Sequence, residues 1–152
     1  MKGKILSSSG VREKASRVVS RARKALPRCR KTEIKERLKH IADIRRIIVE
    51  DMDHVKDVIC SETGKTTSQA LMSDLLPTLE FLRFLEKEAE GILKPHRVNT
   101  PNVYRGCTSR VEYRPKGVVL VIAPWNNPFQ LSLIPVVSAL VGGNTIILKP
   151  SE

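Results

Sequence analysis

The stretch from Gly117 to Leu148 constrains the fold most, because it reads as strand, helix and strand with few polar residues inside any of the three. Gly117-Val118-Val119-Leu120-Val121-Ile122-Ala123 is a continuous apolar run, the pattern of a strand covered on both faces of a sheet, and it stops at Pro124. Pro128 to Val141 is apolar, bounded by prolines and the Gly142-Gly143 pair, and long enough for a buried helix despite Pro135. Thr145 to Leu148 supplies a second strand. This order predicts a βαβ unit whose strands are parallel and joined by a right-handed crossover. Ligands of open α/β sheets bind at the carboxyl ends of the strands, which directs attention to Ala123–Asn127 and Lys149–Glu152.

The preceding sequence is helical in character. Ser8 to Leu26 lacks an internal proline and is closed by Pro27, as expected for one helix. Thr32 is the expected N-cap of the next, with Glu33 in its first turn. There Ile34, Leu38, Ile41, Ile48, Met52, Val55 and Ile59 recur at spacings that place them on one stripe. Glu62-Thr63-Gly64-Lys65 provides a glycine stop, and Thr67 and Ser68 are expected to cap a further helix running to about Gly91, kinked or divided at Pro77. Its core set is Leu75, Leu79, Leu82, Phe84 and Leu85. After Lys94-Pro95 the sequence becomes extended, with a β-prone segment from Val103 to Tyr113.

The 152 residues, 41% of them apolar, suit one domain rather than two. No apolar run reaches the roughly 20 residues that cross a bilayer, and MKGKILSSSG is not a signal peptide, so a cytoplasmic protein without an integral membrane segment is expected. Residues 1–46 hold 16 of the 27 Lys and Arg but 4 of the 16 Asp and Glu, a net of +12, against −1 for the rest. Such a segment can attract nucleic acid or an anionic membrane, the alternative function for this chain. Because Val18, Val19, Ala22 and Leu26 interleave the charges and stacking aromatics are absent, a solvated helix face is preferred and no nucleic-acid partner is expected. Cys29, Cys60 and Cys107 show neither disulfide nor metal spacing, and His40, His54 and His96 lack a paired catalytic partner in the sequence, so no metal site is expected.

Pro124-Trp125-Asn126-Asn127-Pro128 brackets an indole and two amides between prolines. An asparagine held at such a turn can direct its amide at a developing oxyanion, although Asn and Pro are also plain turn residues. Lys149-Pro150-Ser151-Glu152 places a cation, a hydroxyl and a carboxylate where ribose hydroxyls of a nucleotide would lie, and the carboxylate would repel a 2′-phosphate. No GxGxxG follows the first strand.

Arg114-Pro115-Lys116-Gly117-Val118-Val119, Ile122-Ala123-Pro124-Trp125-Asn126, Ala139-Leu140, Gly143-Asn144 and Lys149-Pro150-Ser151-Glu152 resemble, in order and spacing, the aldehyde dehydrogenase superfamily. The helices from Lys31 to Glu62, Glu62-Thr63-Gly64-Lys65 and the extended arm resemble its N-terminal region more loosely. The resemblance implies an oxidoreductase that uses NAD, with NADP possible, to oxidise an aldehyde to the acid. By the same resemblance Asn126 is the oxyanion-hole asparagine, Ile122, Ala123, Pro124 and Trp125 line the cofactor pocket, and Lys149, Ser151 and Glu152 contact the adenosine ribose. Asn127 departs from the family pattern, which has an aromatic residue after Trp-Asn.

The implied organisation is an α/β fragment. Helices fill residues 1–94, a β arm of the oligomerisation element fills 98–114, and 115–152 form the first Rossmann-like βαβ unit of an incomplete cofactor-binding domain. The family's nucleophilic cysteine and base glutamate are expected beyond Glu152, which would leave this chain inactive alone and part of a homo-oligomer when full-length. A small, complete βαβ nucleotide-binding protein is disfavoured, because Thr145 to Leu148 would be left as an apolar edge.

Overall fold

A computed structural model describes residues 8–151 of the chain. Three helices come first: α1 (Ser8–Lys31), α2 (Ile34–Glu50) and α3 (Met52–Thr63). α1 continues through Pro27 rather than ending there. The proline removes one amide, the partner of the Arg23 carbonyl, and both residues are exposed, so that carbonyl is open to solvent. The helix ends at Thr32, whose hydroxyl and amide donate to the Arg28 carbonyl at 3.0 and 3.1 Å. Thr32 therefore finishes α1 instead of capping α2, whose N-cap position falls to Glu33.

The apolar stripe of α2 and α3 is as expected. Ile41, Ile48 and Ile59 are buried, and Ile34, Leu38, Met52 and Val55 pack against them. Gly64 stops α3 in the left-handed conformation, φ 71°, its amide donating to the Cys60 carbonyl at 2.9 Å. Thr66, not Thr67 or Ser68, caps α4 (Thr67–Ala70): its hydroxyl accepts from the Gln69 amide, and the Gln69 side chain accepts from the Thr66 amide. A π-helical turn, Leu71–Leu75, leads into α5 (Leu76–Leu93), which carries Pro77 in its first turn. The division expected at Pro77 thus occurs just before it, leaving the proline where its missing amide costs least. Leu75, Leu82 and Leu85 are buried with Leu79 against them, but Phe84 is 46% exposed. Phe81 takes the core position instead, because Phe84 lies further round the helix from the Leu82–Leu85–Ala89 stripe.

The arm is an antiparallel hairpin of β1 (His96–Val98) and β2 (Ser109–Val111), with His96 opposite Val111. The β-prone segment from Val103 to Tyr113 is thus strand only in part, since Asn102–Tyr104 forms a 3-10 turn after Pro101. β3 (Val118–Ile122), α6 (Pro128–Val141) and β4 (Thr145–Lys149) then form the βαβ unit. The strands are parallel, in register from Val118 opposite Thr145 to Ile122 opposite Lys149. Val137 and Val141 of α6 join the core shared with α2, α3 and α5.

α1 lies against β3 and β4, with Leu26 beside Gly117 at the start of β3. Towards the carboxyl ends the cover gives out. Leu120 and Ile122 are 58% and 68% exposed, so burial on both faces, expected from the apolar run, is not found there among the described residues. Two bonds from Arg37 tie the framework together: Nε donates to the Thr32 carbonyl at 2.9 Å and Nη1 to the Val141 carbonyl at 2.5 Å, joining the α1–α2 junction to the end of α6.

Candidate active site

Parallel pairing sets Ile122 opposite Lys149, so the turns after β3 and β4 leave the sheet at one edge. Ala123 extends the ladder by one bond, its amide donating to the Lys149 carbonyl at 3.0 Å, and its side chain is buried. Pro124, Trp125 and Asn126 follow on the surface, with the indole 75% exposed. Ser151 is half-buried. Trp125 and Ser151 line one recess of about 330 Å³ with Glu62, Thr63 and Pro128. A longer apolar groove, with Val58, Phe129, Leu133 and Leu148 in its walls, also includes Ser151. Ile122, Ala123, Pro124, Trp125, Asn126, Lys149 and Ser151 therefore share one edge of the sheet; Glu152 lies outside the described residues.

Gly143-Asn144 has a structural task. The Asn144 side chain accepts from the Gly117 amide at 2.9 Å and donates to the Ala139 carbonyl at 3.1 Å, fastening the start of β3 to the end of α6. Gly143 needs φ +78°, and a Cβ there would lie 3.0 Å from Pro115 Cγ.

The turn is held from behind by residues that no local motif reveals. Lys65 Nζ donates to Asp74 Oδ2 at 2.5 Å, to Asn127 Oδ1 at 2.6 Å and to Ser73 Oγ at 3.2 Å. Asp74 is fully buried in the π-helical turn, and its other oxygen accepts the Gln130 amide in the first turn of α6 at 3.2 Å. A buried carboxylate at a helix N-terminus is favoured by the dipole and satisfies one of its free amides. Through Lys65 the same carboxylate anchors Asn127, the residue after Asn126. The one sequence signal was Asn127 itself, a polar residue where the resembling family has an aromatic one.

Among the described residues no group of three or more His, Cys, Asp and Glu could hold a metal ion, and no helix is long and apolar enough to cross a membrane. Cys29 and Cys60 are half-buried and Cys107 is exposed; Cys60 packs against the core. His40, His54 and His96 are all exposed.

The aldehyde dehydrogenase family model matches residues 6–152. A 4,4'-diapolycopene aldehyde oxidase from Methylomonas sp is 38% identical over 135 residues, which cover 88% of this chain and 26% of the relative. The dimeric NADP-preferring aldehyde dehydrogenase of Rattus norvegicus is 31% identical over 143 residues, covering 90% of this chain and 30% of that protein. Among solved structures, the substrate-bound state of Staphylococcus aureus AldH superposes with a TM-score of 0.83 at 27% identity, covering 91% of this chain and 30% of that one. The chain spans roughly a quarter of the length of the curated relatives it matches. With the same order of helices, hairpin and parallel strand pair now described, this chain belongs to the aldehyde dehydrogenase family.

Proposed function

We propose that this chain forms the opening part of the cofactor shelf, and supplies the oxyanion donor, of an enzyme that oxidises an aldehyde to the carboxylic acid with NAD(P). The observation that carries this proposal is the shared end of β3 and β4, where Asn126 with its exposed amide, the exposed Trp125 indole, Lys149 and Ser151 follow paired strand ends, with Trp125 and Ser151 lining one recess. Ribose hydroxyls match that donor set, since Lys149 donates and Ser151 both donates and accepts. Ile122, Pro124 and Trp125 offer an exposed apolar surface at the same end of the strands, with the buried Ala123 behind them. A nicotinamide cofactor held there would supply the hydride acceptor for the carbonyl carbon once a nucleophile has added to it. Asn126 directs its side-chain NH2 at the oxygen that gains charge when the carbonyl is attacked.

The nucleophile and the hydrolytic base are assigned outside residues 1–152. None of Cys29, Cys60 and Cys107 lines the recess at Trp125. NAD is the preferred acceptor in this proposal because a carboxylate at Glu152 repels a 2′-phosphate. Homo-oligomerisation through the β1–β2 arm is supported by its exposed apolar side chains, Val98, Val103 and Tyr104. The test is spectrophotometric. An enzyme of the relatives' length that begins with this chain forms NADH when aldehyde is added, and the 152-residue chain alone forms none; full activity in the short chain, or none in the long one, overturns the assignment.

A further inference from the structure

α1 is docked along only part of its length. From Val19 onward its apolar stripe, Val19, Ala22, Leu26 and Cys29, is half-buried, whereas every residue from Val11 to Val18 is exposed. The stripe itself does not stop where docking stops. Val11, Ala15 and Val18 continue it at spacings of four and three, with Val11 51% and Val18 44% exposed. At about 100° per residue, Arg12 falls on one flank of this open stripe and Lys14 and Arg21 on the other.

The charges are as unpartnered as the valines. α1 carries nine Lys and Arg against one acid, Glu13, and none of those cations is in an ion pair among the described residues. In α2 and α3, by contrast, Arg45, Arg46 and Lys56 all have carboxylate partners. A solvated face explains exposed cations but not a bare aliphatic stripe between them.

We infer that the overhanging half of α1 docks on an anionic lipid bilayer. Val11, Ala15 and Val18 turn into the interface, while Arg12, Lys14 and Arg21 on its flanks reach headgroup phosphates along their flexible stems. Charge complementarity alone would also admit nucleic acid. A duplex, however, gives the valine stripe nothing to bury against, and α1 contains no aromatic side chain to stack on unpaired bases. This inference does not depend on the proposed enzymatic role.

The test is co-sedimentation of the intact chain with vesicles of phosphatidylglycerol and phosphatidylcholine, against vesicles of phosphatidylcholine alone. The expected result is binding to the anionic vesicles only, weakened about a hundredfold by the combined change Arg12→Gln, Lys14→Gln and Arg21→Gln. Val18→Asp, at an exposed position, weakens it too while circular dichroism stays unchanged; Val11→Ser replaces it if helicity is lost. Wild-type chain left in the supernatant overturns the inference. So does undiminished binding by the valine variants, or tighter binding to duplex DNA that those variants leave intact, which assigns the surface to nucleic acid.

Discussion

Lys65 Nζ donates to the side-chain oxygen of Asn127 at 2.6 Å, joining the turn after α3 to the residue beside Asn126. Asp74 makes this arrangement possible, because it neutralises Lys65 and receives the Gln130 amide with its second oxygen. Asp74 is fully buried and the Lys65 side chain is 16% exposed, so removing the carboxylate strands a charge largely out of water. Asp74→Ala is expected to destabilise the chain by about 3–5 kcal/mol, read from urea unfolding. A loss under about 1 kcal/mol would show that the ion pair is not a structural support.

Two glycines with similar backbones should respond differently to alanine. Gly64 has φ +71° with open space around it, whereas Gly143 has φ +78° and would press a Cβ to 3.0 Å from Pro115 Cγ and 3.1 Å from Arg37 Nη1. Gly64→Ala is expected to cost about 1 kcal/mol from backbone strain alone. Gly143→Ala adds overpacking and is expected to cost about 3 kcal/mol. Thermal melts of the two variants decide the point, and equal losses would contradict it.

The Asp53 carboxylate accepts from Lys56 at 2.8 Å, and the hydrogen bond and charge of that ammonium hold its pKa below the ordinary carboxylate value. A carboxyl depressed by folding contributes stability above its unfolded pKa, and that contribution is lost as pH falls through the folded value. Carbon NMR titration should give Asp53 a midpoint below the ordinary range, moving back towards it in Lys56→Met. An unshifted midpoint in the wild type would contradict the pairing.

What was legible in the sequence depended on how local its cause is. The βαβ unit was readable because the proline and glycine breaks that bound each apolar run are local, and α6 took the bounds that Pro128 and the glycine pair impose, although the two-sided cover that the β3 run suggests is missing at Leu120 and Ile122. Gly64 was readable for the same reason, since its left-handed conformation is a property of the residue. Caps were harder. Thr32 gave up its expected place at the head of α2 to Glu33, and Thr66 took the cap expected of Thr67 or Ser68, because a hydroxyl binds whichever backbone group lies nearest, and that is settled by how the helix arrives. Pro27 misled because a proline costs a helix one hydrogen bond and a clash with the carbonyl four residues back without always ending it, and α1 runs on for one more turn to Lys31. The Lys65–Asp74–Asn127 support left one trace, the departure at Asn127, and its partners could not be read, since they meet through packing of α3, the π-helical turn and α6.

Lys149 and Asn126 are assigned different tasks at one edge, and kinetics can separate them. In an enzyme of the relatives' length that begins with this chain, Lys149→Ala removes a charged donor to the ribose. It is expected to raise the KM for the cofactor about tenfold with little change in kcat. A fall in kcat at unchanged KM would place Lys149 in the chemistry instead of the shelf.

The most direct measurement is steady-state aldehyde oxidation by Asn126→Ala in that same enzyme. The account predicts that kcat falls about a hundredfold or more, the loss found when one oxyanion donor is removed, while the KM for the cofactor holds. An Asn126→Ala enzyme with wild-type kcat would show that the turn after β3 does not supply the oxyanion donor.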